Sequence, residues 1–166
     1  GQEISKADVQ RAFDSAQPAK GDALLIKTSW GDKPYGDSYI LGSPHFSLEA
    51  AQYLAQRMSE NQSDLLLVDT ALLGWPDRHL IPEWFSLLPT PAAESAEARM
   101  YLHLYDSDKA QKDFAVEIEF ARLGIMTVRK LIHCGQINKG RIRIIVSPLK
   151  IVRGVASTCR VVALED

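Results

Sequence analysis

Apolar residues recur at helical spacing in two places near the start of the chain. Val9, Ala12 and Phe13 form a short stripe behind the capping pair Ser5 and Asp8, so the pattern predicts a helix over 6–16 that Pro18 and Gly21 close. Leu48, Ala51, Leu54, Ala55 and Met58 form a second stripe behind Ser47, and 61–63 ends it. Short apolar runs of strand length stand at 24–28, 65–68 and 125–128. A strand, a crossover helix and a strand make a βαβ unit, which places parallel strands in a sheet. A third helix is expected to open at 106–108 and run to Leu123, with Ala110, Phe114, Ile118 and Ala121 as its stripe, Glu117 on the border and Gly124 as C-cap.

The stretch 141–165 predicts two more strands. Four of the five residues from Ile142 to Val146 are β-branched, and Pro148 removes a ladder donor just past them, so the first strand is expected to end near Ser147. Val161, Val162, Ala163 and Leu164 form another apolar run between turn residues, the signature of a strand buried on both faces. With 24–28, 65–68 and 125–128, the segments 142–146 and 160–164 are expected to share one mixed sheet with flanking helices, an α/β fold in a single domain over 1–166.

Two stretches break the periodicity. The loop 31–44 has three Gly and two Pro and, with Trp30 ahead of it, carries Tyr35 and Tyr39, aromatics that either bind a ligand or pack back on the sheet. The excursion 71–98 holds Trp75, Trp84, Phe85 and four prolines without a sustained period, which suits a lid or a partner-facing surface. A short strand is expected at 99–105.

Four blocks carry a resemblance. The ending Pro148, Leu149, Lys150, Ile151, Gly154, Arg160, Val162, Ala163, Leu164 is similar to that of the cyclase family, which includes kynurenine formamidases and isatin hydrolase, metal-dependent hydrolases with a swivelling β/α/β fold. Gly21 to Trp30, Phe46 to Leu54 and Leu65 to Thr70 resemble earlier family blocks in the same order. The resemblance implies hydrolysis of a linear or cyclic amide by metal-bound water. The family's HxGTHxDxPxH metal motif is absent from the sequence. In the family's HxxLLxxGIxIVEN segment, His and Glu bind the metal; aligned on Gly124 and Ile125, Glu117 takes the His position and Arg129 the Glu position. A carboxylate can still ligate, whereas a guanidinium carries a fixed charge and offers no lone pair. Glu117 is thus either a ligand or the ion-pair partner of Arg129.

Composition narrows the remaining classes. Nineteen basic and twenty-one acidic residues leave a net charge of -2, which gives no electrostatic reason to expect nucleic acid. No apolar run approaches the roughly 20 residues of a membrane span. Cys134 and Cys159 have neither metal nor disulfide spacing, so both are expected to be buried thiols of a cytoplasmic protein. His45, His79, His103 and His133 form no metal cluster by spacing; His45 suits a turn, and His103 either faces a site or lies half-buried on a strand. Asp69 ends a central strand, where open α/β sheets bind ligands, or else closes a turn there. Trp30, Asp69 and His103 are therefore the substrate-binding candidates and Glu117 the metal candidate, with no catalytic residue assigned. No cofactor is expected for this chain alone, and Zn²⁺ or Mn²⁺ if a complete family site is assembled. Because that metal motif is absent, the resemblance implies as partners a small amide and either further copies of the chain or a partner chain supplying the metal-motif segment. The alternative is a non-catalytic binding or assembly protein that keeps the fold.

Overall fold

The computed structural model describes residues 1–34, 39, 42–74, 114–152 and 156–165. Strand β1 (Glu3–Ile4) leads into helix α1 (Lys6–Ala16), strands β2 (Leu24–Ile26) and β3 (His45–Phe46), helix α2 (Leu48–Glu60) and strand β4 (Leu65–Val68). Helix α3 (Ala115–Arg122), strand β5 (Met126–Val128), a 3-10 turn (Cys134–Gln136) and strands β6 (Arg143–Pro148) and β7 (Cys159–Leu164) follow.

Local chemistry sets the first two helices. Ser5 accepts from the Asp8 N–H while Asp8 accepts from the Ser5 N–H, a reciprocal cap that satisfies two donors with no intrahelical partner. Ser47 caps α2 by accepting from the Ala50 N–H. One face of α2 then buries Ala50, Ala51, Leu54, Ala55 and Met58, with α1 packed on one flank and α3 on another. Small residues on this face let the neighbouring backbones approach, and Leu54 and Met58 fill the space against Leu66, Val68 and Phe46. Gly21, at φ +81°, turns the chain from α1 into β2 and donates to the Asn61 carbonyl at the end of α2.

The parallel sheet runs β2-β4-β5, with Leu24 to Ile26 paired to Leu66 to Val68 and Leu65 to Leu67 paired to Met126 to Val128. β4 is central and buried on both faces, as its unbroken apolar run requires. β1 and β3 form a separate parallel pair.

Five expectations are corrected. Among the described residues the segments 142–146 and 160–164 are not strands of the central sheet: β6 and β7 pair with each other alone, antiparallel, from Arg143↔Leu164 to Pro148↔Cys159. Their apolar runs are half exposed rather than buried on both faces, because a two-stranded ribbon with no described strand beside it has one face and two edges open. The first of them also continues through Pro148, which an edge strand tolerates because an outward N–H is not needed there. The described part of α3 buries Val116 and Phe120, not the stripe of Ile118 and Ala121, because Phe120 meets Phe46 edge-on at 6.5 Å and turns that face inward. Cys159 is only half-buried, on the exposed ribbon. The expected strand 99–105, most of the excursion 71–98 and the start of the third helix lie outside the described residues.

Candidate functional site

Because β2, β4 and β5 are parallel, their following segments leave the sheet at one edge, the place where open α/β sheets hold ligands. Backbone bonds stitch that edge together: Lys130 N–H donates to the Thr70 carbonyl at 3.0 Å and Leu131 N–H to the Val68 carbonyl at 3.2 Å. Asp69, the first residue past β4, is fully buried. Its carboxylate accepts from the Thr28 N–H at 2.9 Å on both oxygens and from the Thr28 hydroxyl at 2.6 Å. The strap joins the exits of the two neighbouring strands, and the buried charge is tolerable because charge-assisted donors replace water around it.

Thr28 in turn accepts from the Trp30 N–H at 3.3 Å, so the strap also orients Trp30. The indole N–H donates to the Tyr39 carbonyl at 2.9 Å, the two rings lie 6.1 Å apart, and the Lys33 ammonium sits 4.1 Å from the indole centroid. Tyr39 is buried, so this part of the aromatic loop packs back on the body. Gly31 allows the loop its path: a Cβ there would overlap the Leu131 carbonyl oxygen and stand 3.0 Å from the Asp69 Cβ.

On the far side of this edge, Asp32 accepts from the His133 N–H at 3.0 Å and holds the 3-10 turn that carries Cys134. Burial, with the Asp69 and Asp32 charges adding to it, pushes the Cys134 thiol up to about 11. Three units below that value about one thiol in a thousand is ionised, and the thiolate is the nucleophile. At pH 8 iodoacetamide is therefore expected to label half-buried Cys159 at least about ten times faster than Cys134, read by peptide mass spectrometry; equal rates would refute this placement. The sign for stability follows, since the folded thiol holds its proton while the unfolded one, near 9.0, has lost it. The contribution is complete below about 9 and lost as the pH rises toward 11.

Glu117 and Arg129 meet at the exit of β5, with Arg129 Nη1 3.5 Å from Glu117 Oε1. The pair is partly open to solvent, with Arg129 at 40% and Glu117 at 24% side-chain exposure. Among the described residues Glu117 Oε2 is buried and has no hydrogen-bond partner, and a Cβ at Gly74 would stand 3.4 Å from it. That oxygen has the chemistry of a ligand, but the neighbouring guanidinium is a cation where a divalent ion would need another donor. Among the described residues no three His, Cys, Asp or Glu side chains gather closely enough to hold a metal, so these residues do not by themselves fit one.

The structure therefore brings Trp30 and Asp69 together through Thr28, and pairs Glu117 with Arg129 at the same edge of the sheet. His103 and His79 lie outside the described residues. His45 begins β3, and burial holds its imidazole below the usual range. Sequence reasoning missed Thr28, Gly31 and Asp32. Gly31 directly after a strand and its two following residues was the available signal, but a glycine in a glycine-rich loop does not announce which one is sterically required.

A three-stranded parallel sheet with helices packed on it, and ligand-type side chains at the carboxyl edge of its strands, defines an α/β protein of the open-sheet class. A family model described as "Putative cyclase" matches residues 1–72. The whole described fold is similar to a solved structure described as a potential metal-dependent hydrolase with cyclase activity, at a TM-score of 0.60 and 16% identity. The alignment covers 98% of this chain and 58% of that one, so the chain spans little more than half the length of the structure it matches. No curated protein matches. Residues 1–72 are thus similar to the cyclase family, and the fold as a whole to that of the solved hydrolase. The family match takes in the blocks 21–30, 46–54 and 65–70, while Glu117, Arg129 and the ending 148–164 lie beyond it.

Proposed function

We propose that this chain supplies the carboxyl-edge half of a site similar to that of kynurenine formamidase-type hydrolases, which takes a small linear or cyclic amide, and that it holds no divalent ion on its own. The observation that carries this reading is the Glu117 and Arg129 pair, which stands at the two positions where the family segment has its His and Glu ligands. Trp30 offers a partly exposed indole for an aromatic or planar amide, and Asp69 acts behind it by fixing Thr28 and the path of the loop. Zn²⁺ or Mn²⁺ would need ligands from outside the described residues or from a partner chain. Two unpaired thiols and the lack, among the described residues, of a helix long and apolar enough to cross a membrane fit a cytoplasmic setting.

Elemental analysis after dialysis tests the reading. The wild-type chain is expected to retain less than about a tenth of an equivalent of Zn²⁺ or Mn²⁺, since a stable zinc site takes about three or four protein ligands. One equivalent held tightly by the wild type and lost in Glu117→Ala would overturn it. Metal retained by Arg129→Glu alone would identify the guanidinium as what closes the site.

A second reading, a non-catalytic assembly protein that keeps the fold, is favoured by the apolar residues on the open face of the β6–β7 ribbon. The excursion 71–98 would add to such a contact surface.

A further inference from the structure

The arm of chain from Ile132 to Gln136 is pinned at both ends. Leu131 N–H donates to the Val68 carbonyl at 3.2 Å, and the Ile137 carbonyl accepts from the Lys27 ammonium at 2.8 Å. Between these pins, among the described residues, a single hydrogen bond joins the arm to the loop that follows β2, from the His133 N–H to Asp32 Oδ1 at 3.0 Å, and it is exposed. Arm and loop nonetheless touch closely. A Cβ on Gly135 would stand 2.7 Å from Asp32 Oδ2, and Gly31 passes between the Leu131 carbonyl and Asp69 with no room for a Cβ of its own. Together they roof the exit of β4, with Asp69 fully buried beneath and Cys134 buried on the arm.

The backbone here is held in a disfavoured conformation. Among the described residues five non-glycine positions have positive φ, and two of them, Gln17 and Gln62, stand at the ends of α1 and α2, where a left-handed residue is common. The other three, Ser29 at +63°, Lys130 at +59° and His133 at +61°, flank the contact between arm and loop. A side chain in this region crowds the following carbonyl, and such residues persist only where their surroundings hold them. All three are exposed, so packing of their own side chains does not hold them. Ser29 is fixed by its neighbours, since Thr28 is bound to Asp69 and the Trp30 N–H to the Thr28 hydroxyl. His133 is fixed by Asp32. Breaking that bond lets His133 return to an ordinary φ, so released strain offsets part of the cost of opening.

We propose that Asp32 and the arm form a clasp that opens as a local unit while the sheet stays folded, a gate over the exit of β4 that uncovers Cys134 and the edge above Asp69. A single exposed bond and stored strain are what place a segment at the low-stability end of a fold. The gate goes beyond the amide reading and does not depend on which small molecule the edge takes.

Cys134 reports the opening. Iodoacetamide labelling of the full chain at pH 8, read by peptide mass spectrometry along a urea series, is expected to give a Cys134 rate that is flat below the unfolding transition and climbs only within it. Asp32→Ala, which loses the clasp, is expected to label Cys134 about five times faster than Asp32→Asn, which removes the same charge but keeps an acceptor for the His133 N–H. Ser29→Gly and His133→Gly, which leave the charge at this pH unchanged, are each expected to slow labelling about threefold, the left-handed penalty less glycine's own backbone entropy. A rate that follows urea from the lowest concentrations with the slope of global unfolding overturns the proposal, because the thiol is then reached only through the unfolded chain. Equal rates in Asp32→Ala and Asp32→Asn overturn it as well, and so do glycine variants that label no more slowly than the wild type, which would mark a thiol open to the reagent without any gate.

Discussion

Asp69→Ala is expected to cost the fold about 4 kcal/mol, a large part of the roughly 5–15 kcal/mol that holds a domain together. The carboxylate accepts three bonds from Thr28, and removing it strands the Thr28 N–H and hydroxyl at the sheet edge as well as emptying a fully buried space. Hydrogen bonds to a charged acceptor are worth about 1.5–3 kcal/mol each and do not add fully when they share one partner. Thr28→Val removes the hydroxyl bond and keeps the N–H bonds, so it is expected to cost about 1.5 kcal/mol. Urea unfolding of both variants and the double variant measures this, with a coupling of about 1 kcal/mol or more expected between the two sites. An Asp69→Ala protein as stable as the wild type would refute the strap and return Asp69 to a direct ligand role.

Gly31→Ala is expected to be nearly as damaging, about 3 kcal/mol, through crowding alone. The new methyl meets the Leu131 carbonyl and the Asp69 Cβ, and both belong to segments that backbone hydrogen bonds hold in place. Neither is the end of a flexible side chain that can swing away. For a chain of this length the loss corresponds to a fall in melting temperature of about 10 °C, read by calorimetry. Gly140→Ala is the internal control: among the described residues nothing lies within 4 Å of where its Cβ would stand, so its effect is expected to stay within about 0.5 kcal/mol. Equal melting of the two variants would show that the loop yields.

What was legible in the chain was what its chemistry decides locally. Ser5 with Asp8 and Ser47 with the stripe behind it placed α1 and α2 because a cap and a period act within a turn or two. The run Leu65 to Val68 identified the central strand because only a strand buried on both faces needs four consecutive apolar residues. The same reasoning misled for 142–146 and 160–164. An apolar run states that a strand wants company and leaves open whether the company is the chain's own sheet. The Thr28 and Asp69 strap joins residues 41 positions apart and leaves no periodic trace. The Glu117 and Arg129 pairing was reached through the family resemblance rather than through spacing. The phase of α3 depended on Phe120 finding Phe46 across the core, which no count along the helix contains.

The order β2-β4-β5 also bears on how the chain reaches its fold. Leu65 pairs with Met126, so the last strand of the sheet is recruited across 61 residues of chain, while β6 and β7 meet across a turn of about ten. Closure entropy grows only with the logarithm of that span, at about 0.6 kcal/mol for each doubling. The sheet is therefore slow to close, since distant partners must meet before any bond rewards them, yet nearly indifferent to how long the intervening chain is. By that logarithm alone, doubling the 61 residues of chain between Leu65 and Met126 would add only about 0.6 kcal/mol to the cost of closing the sheet.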